Sequence, residues 1–307
     1  MKCRLPLKRY GRQFQKARGI DLIPSKFDYV RVNSVDEAIE KLKLNNGEGK
    51  LLAGGHSLVP LLKFRLSEPG TLIDISRIAE LKGVRIEGNR IIIGALTTHN
   101  EVANDPTVKT LVPVLAETVR QIGDMQVRNR GTIGGNIAHA DPAADLPAAA
   151  IVLDAEVHIH GEDGPETMDI ESFIVGPLIT MLPENSVLTS VSFAIPPNHT
   201  KSTYLKFYHH ASGYPVIGVA VVAGVDDDGL IDYIRVGITG VGDVAYRATS
   251  VEDKLIGQVI SEALIKEAAA LAADEGEMAS DLFASEDYRK QLCKVYTERA
   301  LNSLFNY

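Results

Sequence analysis

Two short stretches carry the residue types from which an anion site can be built. Leu51-Leu52-Ala53-Gly54-Gly55-His56-Ser57-Leu58 and Thr132-Ile133-Gly134-Gly135-Asn136 each join a glycine pair to hydroxyl or amide side chains. Consecutive glycines can adopt backbone angles at which successive N–H groups converge on one point, and the missing Cβ lets a ligand approach the main chain. Ser57, Thr132 and Asn136 would add side-chain donors to such a nest. Two nests in one domain suit a pyrophosphate, although either pair alone reads more readily as an ordinary tight turn. Neither stretch has the Gly-x-Gly-x-x-Gly spacing of a dinucleotide-binding Rossmann fold or the glycine–lysine pattern of a P-loop.

Other chemistry is sparse. No nucleophile stands beside an evident base, so no catalytic side chain is expected. His139, His209 and His210 show no metal-ligand spacing with a carboxylate. Cys3 and Cys293 are the only cysteines, too few for a disulfide framework or a cysteine-rich metal site. Any iron–sulfur centre serving this chain must lie on another one, and its own chemistry would be that of a bound cofactor.

The elements that would hold these stretches follow from local pattern. Ser34 followed by Asp36 and Glu37, with Ile39 and Leu42 at helical spacing, predicts a helix over 35–44. Strand-like runs follow at 50–53, 71–75 and 90–94, then a helix over 111–122, where Leu111, Val114, Leu115, Val119 and Ile122 recur at three and four residues. Strands are expected at 155–160 and 187–195. Pro196-Pro197-Asn198 then marks a boundary, beyond which strands at 204–209, 216–225 and 230–239 precede helices over 263–273 and 288–304. Asp228-Gly229 reads as the hairpin turn between the last two strands.

At 307 residues, two domains are the prior expectation, and 45% hydrophobic with 23% charged residues is an ordinary globular composition. A net charge of −8 argues against nucleic acid as the main partner. The first twenty residues run against that balance, with seven Lys or Arg and no acid. This arm, assigned to 1–23, reads as a disordered extension or as a dock for an acidic partner. It has no apolar core of secretory-signal length, and no window approaches a membrane span, so a cytoplasmic protein is expected.

"LLAGGHSLVPLLKFRL" (51–66), "IGALTTHNEV" (93–102), "VRNRGTIGGNIAHADPAADLPAAAIVLDAEV" (127–157) and "YLKFYHHASGYPVIGVAVV" (204–222) closely resemble the FAD-binding medium subunit of the molybdenum hydroxylases. That family includes carbon monoxide dehydrogenase, xanthine dehydrogenase and related heterocycle or aldehyde oxidases. The resemblance runs from about Pro24 to the C-terminus, leaving only the basic arm outside. It implies an α+β fold: a vanillyl-alcohol-oxidase (PCMH) type FAD-binding domain in two subdomains over 24–197, then an α+β C-terminal domain of the CO dehydrogenase flavoprotein type over 198–307.

By position, the resemblance makes Leu52, Ala53, Gly54, Gly55, His56, Ser57 and Leu58, with Thr132, Ile133, Gly134, Gly135 and Asn136, the two loops that hold the FAD pyrophosphate. Asp145, Leu188 and Lys206 fall on FAD-contacting positions, and Tyr214 on a tyrosine at the isoalloxazine ring. Each also has a plainer reading: a helix cap for Asp145, core for Leu188, a solvated strand lysine for Lys206, packing for Tyr214. Asp141, before Pro142, reads as a turn residue. The FAD is expected to be noncovalent, with His56 as a polar loop contact. The implied assembly is a medium subunit of a molybdenum-dependent oxidoreductase. A small subunit carries [2Fe-2S] clusters, a large subunit the molybdenum-pterin, and electrons leave through FAD to an external acceptor such as NAD or a quinone. A stand-alone flavin oxidase or reductase of the same fold is the alternative. The chain departs from the family at Lys206-Phe207-Tyr208, where many relatives read Lys-x-Arg, and it lacks the inserted cysteine loop of the benzoyl-CoA reductase branch.

Overall fold

The structure is a computed structural model describing residues 22–305. Apart from Leu22 and Ile23, the basic arm lies outside the described residues, as does Cys3.

Strands Asp28–Arg31, Thr71–Asp74 and Gly49–Leu52 form a three-stranded parallel sheet in that spatial order. Helix Val35–Leu44 makes the crossover, and the Ser34 hydroxyl caps it by accepting the Glu37 N–H at 3.1 Å. Its buried Val35, Ala38 and Ile39 close a small core with Ile73, Ile75 and Ile78. The first glycine pair thus leaves the C-terminal end of a parallel strand, where open parallel sheets place their ligands.

A second sheet is antiparallel throughout, in the order Val84–Glu87, Arg90–Gly94, Val187–Ala194, Glu156–Gly161, Gly164–Asp169. Between Gly94 and Glu156 the chain leaves this sheet for a run of short helices. The helix expected over 111–122 is two helices, Pro106–Leu111 and Pro113–Arg120. Proline has no N–H to continue a helix and disfavours helical angles at the residue before it, so Val112 sits at φ −138° and Pro113 starts afresh at the first helical position. The periodicity survives because both pieces bury the same face: Val108, Val112, Val114, Leu115 and Val119 are all fully buried.

After Pro196-Pro197, strands Lys201–Tyr208, Pro215–Val225, Ile231–Thr239 and Tyr246–Arg247 form an antiparallel meander. Gly229 turns the second hairpin at φ +80°, and Asp226 Oδ1 accepts the N–H groups of Asp228 and Leu230. Side chains alternate along these strands. Val219, Val221 and Ile238 face a core closed by helices Thr249–Leu255, Glu262–Ala269 and Glu286–Phe305. Tyr204, Ala220 and Val222 face the other way and join the core of the first domain. There helix Leu146–Val152 lies directly on the meander: a Cβ at Gly237 would come within 2.5 Å of Ala148 O. This is the α+β fold in two subdomains, with an α+β C-terminal domain, that the resemblance implies. Among the described residues no helix is long and apolar enough to cross a membrane.

Candidate functional site

A cleft of about 770 Å³ opens between the two sheets of the first domain and is rimmed by the 212–214 segment of the C-terminal domain. That volume is typical of cofactor pockets. Of the sixteen residues singled out from the sequence, all but Leu52, Ile133 and Lys206 line it.

The two glycine stretches meet at this cleft but are built differently. In the first, Gly55 sits at φ +77°, and the N–H groups of Gly54, Gly55, His56 and Ser57 have no acceptor among the described residues. This is the open donor set that an anion requires. The second stretch forms no nest, because Thr132 caps a helix over Ile133–His139. Ile133 N–H donates to Thr97 O at 3.0 Å, Gly134 to Ala95 O at 2.9 Å, Gly135 to Thr132 Oγ1 at 3.2 Å, and Asn136 to Thr132 O at 3.0 Å. What this stretch offers is surface: Gly135 is exposed in the cleft, while the Thr132 hydroxyl keeps its own proton to donate. Gly134 serves packing, since a Cβ there would meet Ala95 Cβ at 2.4 Å.

The two stretches are held together by a backbone contact. A Cβ on Gly54 would lie 2.0 Å from Arg130 O, and one on Gly131 would lie 2.9 Å from His99 Cδ2. His99 is 3% exposed and its Nδ1 has no partner among the described residues. Burial, with Arg128 and His56 nearby, lowers its pKa to about 4. An unfolded histidine titrates near 6.5, so the native state is undisturbed above that pH and loses stability as pH falls towards 4. The full loss is about 3 kcal/mol. Urea midpoints measured at pH 7.5 and pH 5 should therefore fall further for the wild type than for His99→Asn.

Asp145 lies at the cleft floor, 4% exposed. It stands at the N-terminus of helix Leu146–Val152 but makes no capping bond. Its Oδ1 accepts instead from the Tyr204 hydroxyl at 2.6 Å and from Lys206 Nζ at 2.9 Å, and its Oδ2 accepts from Lys206 at 3.0 Å. Lys206 also donates to Gln121 O at 3.1 Å, and its side chain is only 3% exposed. It is not a solvated strand lysine, and it stands behind Asp145 rather than on the cleft wall. Burial pushes the Asp145 pKa up, while the Lys206 charge and the Tyr204 hydroxyl pull it down. Asp141 shapes the preceding turn, its Oδ1 accepting the Ala143 N–H at 2.9 Å.

Leu188 is at once core and wall, 5% exposed and lining the cleft. Tyr214, at the rim, is 46% exposed. Burial and the carboxylates Asp141 and Asp145 push its phenol pKa up, so it carries a neutral hydroxyl at physiological pH. Tyr204 escaped the sequence reading. The signal was there, since Tyr204 and Lys206 are two apart on one strand and must share a face.

Residues 25–197 match the family described as FAD binding domain in molybdopterin dehydrogenase, and residues 202–304 match the CO dehydrogenase flavoprotein C-terminal domain. The chain belongs to the FAD-binding medium subunits of the molybdenum hydroxylases. This medium subunit is 37% identical to the carbon monoxide dehydrogenase medium chain of Hydrogenophaga pseudoflava, over 92% of its own length and 98% of that chain. It is 34% identical to the glyceraldehyde dehydrogenase medium chain of Sulfolobus acidocaldarius, over 92% of its length and all of the relative's. Among solved structures, carbon monoxide dehydrogenase from Hydrogenophaga pseudoflava superposes with a TM-score of 0.89 at 38% identity, covering 92% of this chain and 99% of that one. Quinoline 2-oxidoreductase from Pseudomonas putida 86 gives 0.86 at 32% identity, with 92% and 97% covered.

The residues of this medium subunit fit a flavin dinucleotide. Four free N–H groups and a stretch bare of Cβ at Gly135 line the same cleft, and the buried Asn136 Oδ1 has no partner among the described residues. Lys50 is the one lysine or arginine among the described lining residues, so main-chain donors rather than cations would carry a diphosphate there.

Proposed function

We propose that the cleft holds FAD noncovalently and that the chain relays electrons from partner subunits through it to an external acceptor. The observation that carries this reading is the unpaired N–H set of Gly54–Ser57 in the same cleft as exposed Gly135. Those N–H groups, with the hydroxyls of Ser57 and Thr132 and the Asn136 amide, would hold the diphosphate. His56 would be a polar contact at its edge. Asp145 would accept from a polar part of the cofactor, Leu188 would supply an apolar wall, and Tyr214 would cover part of the ring system and limit access of water. Lys206 would act through Asp145 by holding its charge in place.

Bound FAD supplies an exchange between one-electron and two-electron chemistry, which side chains alone do not provide. The partners are an iron–sulfur small subunit with [2Fe-2S] clusters and a molybdenum-pterin large subunit. The acceptor is NAD or a quinone, and the assembly is cytoplasmic. Expressed alone, the chain should be yellow, release FAD on acid precipitation, and capture both partners when co-expressed with them. A colourless chain that cannot be reconstituted with FAD would refute the reading. Gly135→Val, whose Cβ would press on the capping Thr132 hydroxyl at 2.7 Å while the rest of the side chain enters the cleft, should keep its circular dichroism at a cost of about 1 kcal/mol for the disturbed cap yet retain little flavin.

A further inference from the structure

The cleft floor is fixed by a residue that does not line the cleft. Tyr204 is fully buried, and every polar group it has is spoken for. Its N–H donates to Glu117 Oε2 at 3.0 Å, its carbonyl accepts from Gln121 Nε2 at 3.2 Å, and its hydroxyl donates to Asp145 Oδ1 at 2.6 Å. Strand Pro215–Val225 is hollowed to admit that hydroxyl, for a Cβ on Gly218 would lie 2.1 Å from it. Two carboxylate oxygens offer about four acceptor positions. Tyr204 and Lys206 occupy the Oδ1 side, and Lys206 takes one position on Oδ2, which leaves Oδ2 with an acceptor position to spare. Asp145 is the member of this cluster that lines the cleft, and its Oδ2 takes fewer side-chain donors than its Oδ1.

We propose that Tyr204 is a positioning residue for the flavin site: its hydroxyl fixes the orientation of the Asp145 carboxylate so that the free Oδ2 position meets a hydrogen-bond donor on the cofactor. The inference rests on the reading of the cleft as the FAD site. It also gives a reason for the glycine at 218. Without the phenol, Lys206 is the one remaining side-chain partner, and its single Nζ, reaching both oxygens, no longer distinguishes Oδ1 from Oδ2. A hydrogen bond to a charged group is worth roughly tenfold or more in an equilibrium constant.

The test is FAD titration of the full-length apo chain, followed by flavin fluorescence, in a double-mutant cycle. Tyr204→Phe keeps the ring and is expected to raise the FAD dissociation constant about tenfold. Asp145→Ala raises it at least as much, and adding Tyr204→Phe to Asp145→Ala changes it no further, because the phenol then has no side-chain acceptor at 145 to orient. A purely structural tyrosine would weaken binding equally in both backgrounds, and that additive result would overturn the proposal. So would an unchanged constant in Tyr204→Phe or in Asp145→Ala. Gly218→Ala, which keeps the phenol but displaces its hydroxyl, is expected to weaken binding like Tyr204→Phe; a folded Gly218→Ala chain of wild-type affinity counts against the proposal even if Tyr204→Phe does not fold. A wild-type chain that takes up no FAD refutes the underlying reading as well, whereas a wild type that binds and a Tyr204→Phe chain that binds equally refute this inference alone.

Discussion

Gly54→Ala is expected to strip the chain of its flavin. The added Cβ would lie 2.0 Å from Arg130 O, 2.8 Å from Arg130 C and 3.1 Å from Gly131 Cα, all main-chain atoms. No rotamer relieves such a clash, so one loop must move. The 130–131 segment has nowhere to go. Its N–H groups are bonded to Val127 O, Gly131 O accepts the His99 N–H at 3.0 Å, and His99 fills the space beneath Gly131. The loop at 54–57 must therefore lift, carrying its free N–H groups out of register with Gly135. Overpacking of this kind typically destabilises by about 1–3 kcal/mol. The effect on flavin content should be larger than on the melting temperature, with FAD affinity down at least about tenfold, since the N–H groups proposed to hold the cofactor are displaced together. Gly176→Ala is the control. Its Cβ would have its nearest neighbour at 3.6 Å, an ordinary contact, and stability should stay within about 0.5 kcal/mol. A Gly54→Ala chain that purifies as yellow as the wild type would contradict the loop assignment.

Lys206→Met should be the most destabilising single change at the site. It leaves the Asp145 carboxylate, 4% exposed, with the Tyr204 hydroxyl as its sole side-chain partner. Breaking a buried ion pair by removing one member typically destabilises by about 3–5 kcal/mol, because the remaining charge is stranded. The pH dependence should identify the cause. In the variant, burial raises the Asp145 pKa without the opposing lysine, so the penalty is complete above the folded-state pKa and vanishes as pH falls towards the unfolded value near 3.9. Urea midpoints for Lys206→Met should thus converge on the wild type in acid. Asp145→Asn combined with Lys206→Met should recover much of the loss at neutral pH. A constant deficit from pH 5 to pH 8 would indicate lost packing rather than a stranded charge.

What the sequence disclosed and what it withheld divide along a physical line. Local pattern was enough where the signal was local. Ser34 and the acids after it placed a capped helix, strand Arg90–Gly94 was legible in its own run of isoleucines, and the turn at Asp228-Gly229 announced itself by residue type. The Leu111–Ile122 reading failed because periodicity was weighed and Pro113 was not, although proline interrupts backbone hydrogen bonding without disturbing which face is apolar. At the site, both glycine pairs were visible, but identical composition hid opposite roles. Gly54-Gly55 leaves N–H groups open because the strand ends there, whereas Gly134-Gly135 has its N–H groups consumed by Ala95 O and Thr132 Oγ1. Those acceptors are decided by tertiary approach, which no spacing encodes. The partnership of Asp145 with Tyr204 and Lys206 likewise joins residues about sixty positions apart, and only the packing of the meander on helix Leu146–Val152 brings them together.

That packing bears on how this chain can be divided. A fragment ending at Pro197 would include both glycine stretches and every residue matched to the FAD-binding family, yet it would expose the face of helix Leu146–Val152 that now rests on Gly237. It would leave Asp145 with neither its lysine nor its phenol, and the Ala144 carbonyl without the Thr239 hydroxyl that donates to it at 2.8 Å. Flavin binding is therefore expected to require both halves, and a chain truncated after Pro197 should purify without flavin. A split after Pro197 is thus expected to yield two incomplete pieces rather than a cofactor module and an accessory.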